Sequence, residues 1–410
     1  MRCILVIKVK HIDALIIFLM SIVLLVDSIN GYFKLNNSSF TFPISQIYKT
    51  GILLLILLRL HRKAFFLFII ACTFSILFLP TILQFVQGYS VSIYSDSLKI
   101  VKYLTPIICF VYFRELFLQN RIWTIKKLFF FIRISYIIIV VNVLMKFVGL
   151  GFSLYRSGIG SKGYIYAGNE ISTVFLILYA VLAFELIAKG KKIRFWVFFA
   201  FTINVAFVLG SKSAILGVLL VALLLRVRPL AILASSKKLG NFMVVSAVVI
   251  PLGIFWFLNR VVSSELFQNR ILYYYNKVDL LTLILSSRNL YFQTAFDIYK
   301  NNYNTLEKLI GIGQSRYEEI TGHTIEMDFL DIFFAYGVTG IFLFLGTILL
   351  ACYLFYKRKD NVNYPFARLS YLFFILLVII SSLAGHVFSS GIAGIFIGFV
   401  FAMTYLRRVV

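Results

Sequence analysis

Apolar stretches about twenty residues long, enough to cross ~30 Å of hydrocarbon as a helix, recur along the chain between short polar runs. The pattern predicts twelve spans, at 12–30, 44–60, 64–86, 98–118, 134–151, 169–188, 195–210, 212–227, 239–258, 330–356, 369–387 and 390–406. One connection differs. Residues 259–329 are far longer than a link between neighbouring helices requires and carry YYY at 273–275, Tyr291, Phe292, Phe296 and Tyr299. Such aromatic content argues against disorder. Within it, 286–302 reads as an amphipathic helix, because Phe292, Ala295, Phe296 and Tyr299 share one face. Ser286 or Ser287 can cap its start. The expected fold is therefore all-α: a polytopic transmembrane helical bundle of about twelve spans with a partly helical cap. Residues 1–258 hold spans one to nine, 259–329 the large loop, and 330–410 spans ten to twelve.

Composition agrees with this pattern, at 61% hydrophobic residues and mean hydropathy +0.95. The net charge of +24 reads first as membrane topology. Basic runs at RLHRK (59–63), RIWTIKK (121–127), KGKKIR (189–194), RVR and KK (226–238), KRK (357–359) and the terminal RR fall in alternate connections. The intervening GYSVSIYSDS (88–97) has none. This asymmetry predicts cytoplasmic N- and C-termini and an extracytoplasmic 259–329 loop. No soluble basic domain exists to hold nucleic acid. The first hydrophobic segment follows Lys8 and Lys10, lacks a small-residue cleavage site, and reads as an uncleaved first span. Cys3, Cys72, Cys109 and Cys352 lack paired spacing, which implies neither a disulfide framework nor a metal site.

Topology leaves some cations unexplained. Arg270, Arg288 and Arg316 belong to the large loop, while Lys49, Lys99, Lys102 and Lys146 fall in the loop-side halves of spans. Singly, each reads as a lysine snorkelling to headgroups. Together they resemble a cationic chamber, since charges within spans usually face a bundle interior or a wet cavity. Lys212, between Ser211 and Ser213 in GSKS, is the sharpest case. Spans seven and eight together offer about 33 residues where two crossings want roughly 40. The turn is thus expected to sink to phosphate depth, with the N-terminus of span eight adding its free N–H groups. The alternative is a tight turn with a snorkelling lysine. Arg288 stands likewise at a predicted helix start, where a guanidinium suits a diphosphate; otherwise it caps its own fold.

An acid–base cluster precedes span ten in GIGQSRYEEITGHTIEMDFLDIFFAYG (311–337). Gly311 and Gly313 permit a tight turn. Helical spacing is expected to put His323, Glu326 and Met327 on one face and Asp328 and Asp331 on another. A carboxylate or imidazole taking a proton from a sugar hydroxyl is what glycosyl transfer needs. The plainer reading is that Glu318, Glu319, Glu326 and Asp328 make salt bridges with loop cations. No HExxH or DxD spacing appears, so no metal is expected.

At these residues the sequence resembles the O-antigen polymerase and ligase superfamily of bacterial membrane glycosyltransferases. GSKSAILG (210–217) is similar to the family's Gly-Ser-Arg turn, with Lys212 where arginine is common. SSRNLYFQTAF (286–296) resembles its loop arginine and the aromatic helix after it. GIG with DIFFAYGVTG resembles its glycine turn and next span, and RSGIGSKGYIYAGNE (156–170) its pairing of Arg156 with Asn169 before span six. Many members carry His-Asn eleven residues before the glycine of span ten; here that position holds Glu326-Met327, with His323 one helical turn earlier. The EMD form looks more like the polymerases. The resemblance implies a GT-C-like fold in the bacterial cytoplasmic (inner) membrane. It also implies transfer from a polyprenyl-diphosphate-linked oligosaccharide, without metal or cofactor, amid membrane lipid and beside a chain-length regulator and a flippase. Glu326 first, or His323 second, would serve as base. Arg288 would act on the departing diphosphate, with Lys212, Arg156, Arg270, Arg316, Ser211 and Asn169 binding substrate. The alternatives are an O-antigen ligase acting on a lipid A core and, from another class, a polysaccharide flippase or transporter.

Overall fold

Long apolar runs become helices because a backbone in hydrocarbon has no water to satisfy its N–H and C=O groups. The computed structural model describes residues 2–36, 42–154, 158, 160–165, 170–226, 282, 285, 287–383 and 385–407. In chain order come α1 (Arg2–Ser21), α2 (Val23–Asn36), α3 (Ile44–Arg59), α4 (Ala64–Val86), α5 (Ile93–Gln119) and α6 (Ile122–Leu144). Next are α7 (Glu170–Ala188), α8 (Lys192–Leu209) and α9 (Lys212–Arg226). After residues outside the described set follow α10 (Arg288–Asn302), α11 (Thr305–Ile310), α12 (Gln314–Thr321), α13 (Asp328–Tyr356), α14 (Ala367–Leu383) and α15 (Ala393–Ala402). The described residues are all-helical apart from turns and one isolated bridge between Phe152 and Gly163.

Among the described residues, five helices are long and apolar enough to cross a membrane: α4, α6 with the turn after it, α7, α8 and α13. A sixth appears if α1 and α2, bent by 40° at their junction, count as one; α9, α14 and α15 are shorter apolar helices. The chain is a multi-pass helical membrane protein. The expected span at 239–258 lies outside the described residues. The expected span 134–151 differs in place, because α6 already begins at Ile122 and takes in most of RIWTIKK. Lys10 and Lys127 stand over the Trp123 ring at 5.1 and 4.4 Å, so the basic run is held as helix by ring–cation contacts rather than released as a loop.

The core forms where helices are apolar all round. Residues 171–183 of α7 and every residue of α15 are buried. α15 packs along α5 through Gly394 and Gly398, one turn apart. A Cβ on Gly398 would come within 2.6 Å of the Cys109 Cβ and 2.7 Å of the Phe110 nitrogen. Small residues at this spacing let two backbones approach closely, a means of helix association that works without water. Phe113, Phe131, Phe396 and Phe399 then close the seam, with Phe113–Phe399 and Phe131–Phe396 centroids 5.2 and 5.3 Å apart.

The short helices α10 to α12 gather around the first part of α13, and α11 and α12 also meet α4. The Asn304 side chain accepts from the Glu307 N–H while Glu307 accepts from the Asn304 N–H, which starts α11. Glu307 also takes a 2.8 Å bond from Gln84 of α4. On α12, the Ser315 N–H donates to Asp96 of α5 at 2.6 Å, and Thr81 of α4 donates to the same carboxylate at 2.6 Å. Burial raises the Asp96 carboxyl above its usual range, against the lowering effect of these bonds.

Candidate functional site

The site begins with a broken helix. Gly337 interrupts α13 at φ 62°, ψ −160°, a region essentially closed to side-chain-bearing residues. The break frees carbonyls that a continuous helix would use, and the preceding glycine turn takes them up. The Ala335 carbonyl accepts from the Ile312 and Gly313 N–H groups at 3.1 and 2.9 Å. The Phe334 carbonyl accepts from the Tyr303 hydroxyl at 3.1 Å. Gly311–Gly313 is thus a tight turn, as its composition suggests, docked into the gap in α13.

Arg288 opens α10. The Ser287 N–H reaches the Thr282 carbonyl at 2.9 Å, and the Asn289 amide reaches the Thr282 hydroxyl at 2.6 Å. Ser287 caps the helix with left-handed backbone rather than with its side chain; Ser286 lies outside the described residues. Along the helix Ala295 is buried and Phe292 and Tyr299 pack on the core, Tyr299 lying 5.0 Å from Phe333. Phe296, expected on the same face, stays exposed and stacks on Phe292.

Arg288 meets Glu326. Its Nη2 lies 2.7 Å from the Glu326 Oε2 and its Nη1 donates to the Leu285 carbonyl at 3.3 Å, while Nε is buried with no hydrogen-bond partner among the described residues. The side chains are 8% and 45% exposed, so a buried cation reaches a carboxylate at the rim. Glu326 holds φ 63°, a left-handed conformation that costs a non-glycine residue about 1–2 kcal/mol. The expected helical face of His323, Glu326 and Met327 is not formed. Residues 322–327 are irregular, because Gly322 ends α12 in the left-handed conformation and α13 starts only at Asp328. His323 still joins the group: its ring lies 3.9 Å from that of Tyr291 of α10, and its Nδ1 is buried and unpartnered among the described residues.

Behind this rim stands a polar clamp that the sequence did not reveal. Among the described residues Asp328 makes no pair with a loop cation. Its Oδ2 accepts from Ser381 Oγ, Val387 N–H and Phe388 N–H at 2.8, 2.9 and 2.8 Å, and its Oδ1 from Ser389 Oγ at 2.6 Å. The start of α13 is thereby tied to the α14–α15 connection. Asp331 accepts from the Tyr317 hydroxyl at 3.1 Å and the Ile325 N–H at 2.9 Å, and burial, first, with Asp331 beside it, holds the Tyr317 phenol well above its usual range. His386 Nδ1 lies 3.7 Å from Asp328 and 3.8 Å from Asp331. The only signals in the sequence were the two aspartates three apart and a lone histidine.

The remaining expected site residues are distributed. Arg316 pairs with Glu319 at 2.9 Å and covers the Tyr89 ring at 4.4 Å, so for that cation the salt-bridge reading holds. Lys212 is exposed at the first position of α9, after Ser211, whose hydroxyl pairs with that of Ser213 at 2.8 Å. The turn does abut the 160–165 segment, whose Ser161 N–H donates to the Leu209 carbonyl at 3.3 Å. Beside it, burial lowers the Lys162 ammonium below its usual range. Arg156, Asn169 and Arg270 lie outside the described residues. Of the lysines expected to line a chamber, Lys49 and Lys102 share one cavity of about 620 Å³ with Lys34, whereas Lys99 and Lys146 do not line it.

Comparison with known proteins bears on the same end of the chain. Residues 261–408, about a third of its length, match the family model described as O-antigen ligase like membrane protein. The match spans Arg288, the glycine turn, Glu326 and the broken helix. No curated protein matches the chain.

Proposed function

We propose that this chain is a membrane glycosyltransferase that joins polyprenyl-diphosphate-linked oligosaccharide repeat units at the outer face of the bacterial cytoplasmic membrane. The observation that carries the reading is the pairing of a buried Arg288 with a backbone-strained, half-exposed Glu326, flanked by His323. Strained non-glycine residues cluster at functional sites, and the pair falls within the stretch that matches the O-antigen ligase like family model.

The reaction forms a bond from the acceptor hydroxyl oxygen to the anomeric carbon and breaks the bond from that carbon to the diphosphate oxygen. The hydroxyl proton passes to a base, and the polyprenyl diphosphate leaves with the electron pair. Arg288 offers a fork of donors to the charge that builds on the leaving group. While Arg288 is engaged by Glu326, the base is occupied. Arrival of a diphosphate takes over the guanidinium and releases the carboxylate towards the acceptor, so donor binding and base availability are coupled. His323 is the second candidate base. Lys212, Arg156 and Arg270 are assigned to the donor's charge, with α10–α12 as the cap that aligns both sugars.

The test is incubation of purified full-length protein with a lipid-diphosphate-linked repeat unit. A ladder of lengthening products is the expected result. A single addition to a lipid A core would make the chain a ligase, and movement across the bilayer without bond formation would make it a flippase.

A further inference from the structure

Away from the Arg288 group, α2, α3, α5, α7 and the start of α15 enclose the cavity of about 620 Å³, within the range of sites that hold a small ligand. Its wall is charged with both signs: Lys34, Lys49 and Lys102 face it together with Asp27 and Glu170. Part of that charge is internally matched, since Lys49 Nζ lies 2.6 Å from the Asp27 Oδ1, which also accepts from the Ser45 hydroxyl. Two acceptors are not matched. The Asp27 Oδ2 and the Asn30 Oδ1 are buried and without a hydrogen-bond partner among the described residues, in side chains whose residues are 4% and 8% exposed. Unpaired buried acceptors are costly, so their presence in a cavity wall asks for a ligand that donates hydrogen bonds. Lys102 adds the opposite demand. Gly391 makes room for its stem, a Cβ there falling 3.3 Å from the Lys102 Cγ, and Lys102 lines the cavity with two other lysines.

We infer that this cavity binds an acidic sugar of the glycan substrate, its hydroxyls donating to Asp27 and Asn30 and its carboxylate paired with Lys102. Mixed polarity favours a sugar acid, which carries several hydroxyl donors beside a single anionic group, over a bare phosphate, whose charge is greater and whose donors are few. The identification of the ligand as part of the glycan rests on the glycosyltransferase reading; the existence of the site does not.

Saturation-transfer NMR on full-length protein in lipid nanodiscs tests this, with glucuronate, galacturonate and N-acetylneuraminate as probes and glucose and inorganic phosphate as comparators. The expected result is saturation of at least one acidic sugar, stronger than that of glucose and reduced at least about five-fold in both Lys102→Met and Asn30→Leu. Lys102→Met keeps an unbranched stem and Asn30→Leu keeps the branching, each removes a polar group, and thermal unfolding of both checks the fold. Displacement of the sugar by phosphate at equal concentration, or binding of phosphate alone, overturns the inference in favour of a phosphate or lipid-headgroup site. So does the absence of signal from all three acids, or a signal unchanged in both variants. Binding that depends on Lys102 and Asn30 in a protein that forms no glycosidic bond upholds the site and removes the proposed function. Normal chain elongation by a protein that binds no acidic sugar does the reverse.

Discussion

The unequal burial of Arg288 and Glu326 makes a prediction that separates a structural ion pair from a catalytic one. Glu326 is 45% exposed and Arg288 8%. Removing Arg288 leaves a carboxylate that water can reach, whereas removing Glu326 strands a buried guanidinium. Breaking a fully buried pair costs about 3–5 kcal/mol, and an exposed pair contributes about 1 kcal/mol or less. Because the carboxylate is nearly half in water, Arg288→Met should fall near the lower figure, about 1 kcal/mol, with the methionine chain refilling the space. Glu326→Ala keeps the Cβ and so the backbone strain, but leaves the cation, among the described residues, with only the Leu285 carbonyl; about 2–3 kcal/mol is expected, discounted from the buried limit. Turnover should follow the opposite order. A donor to developing charge is worth about 10²–10³ in rate, so Arg288→Met should be nearly as stable as the parent yet slower in transfer by at least about a hundred-fold. Thermal unfolding of purified variants, with initial transfer rates taken below both transitions, reads the two quantities separately. If Arg288→Met unfolds at or below the temperature of Glu326→Ala, or transfers within about ten-fold of the parent, Arg288 is a scaffold residue and the reasoning fails.

Gly337→Ala should lower the unfolding transition and abolish transfer together. Its backbone region costs a side-chain-bearing residue about 1–3 kcal/mol, and the new Cβ would lie 2.6 Å from the Gly311 nitrogen and 2.7 Å from the Leu309 carbonyl; a stable, active variant would mean that α13 is not broken there. Asp328→Asn should destabilise by about 2–4 kcal/mol, because its four donors then face one carbonyl oxygen and one NH2 group. An unchanged transition temperature would argue against the clamp. Lys212→Ala, at an exposed helix start, should leave stability unchanged and reduce long-chain product by at least about a hundred-fold, read on gels of extracted polysaccharide; normal chain length would make Lys212 a headgroup anchor.

Much of the fold was legible before any coordinates. Length and apolarity identify membrane helices because the requirement to satisfy backbone groups in hydrocarbon acts on each segment by itself, and α4 occupies the predicted 64–86. The loop helix was legible from its aromatic spacing and its serine–arginine start, the glycine turn from composition alone. Local rules misled at 322–327, where helical spacing suggested a common face, and at Phe296, which the apolar pattern assigned to the buried side.

What the sequence could not give is which distant groups meet. Arg288 and Glu326 are separated by 38 positions, and no periodicity links them; they pair because Gly337 breaks α13 and the turn at Gly311–Gly313 docks into the break, fixing where the 322–327 segment runs. Asp328 is an ordinary acidic residue at a helix start until the α14–α15 connection brings four donors to it. Lys49 and Lys102 read singly as anchors, and only the packing of α2, α3 and α5 turns them towards one cavity with Lys34, Asp27 and Asn30. Hydrophobic pattern is a sum over neighbours in the chain and so fixes the helices. A site depends on a few long-range contacts among rigid helices, and those are decided only when all of them pack at once.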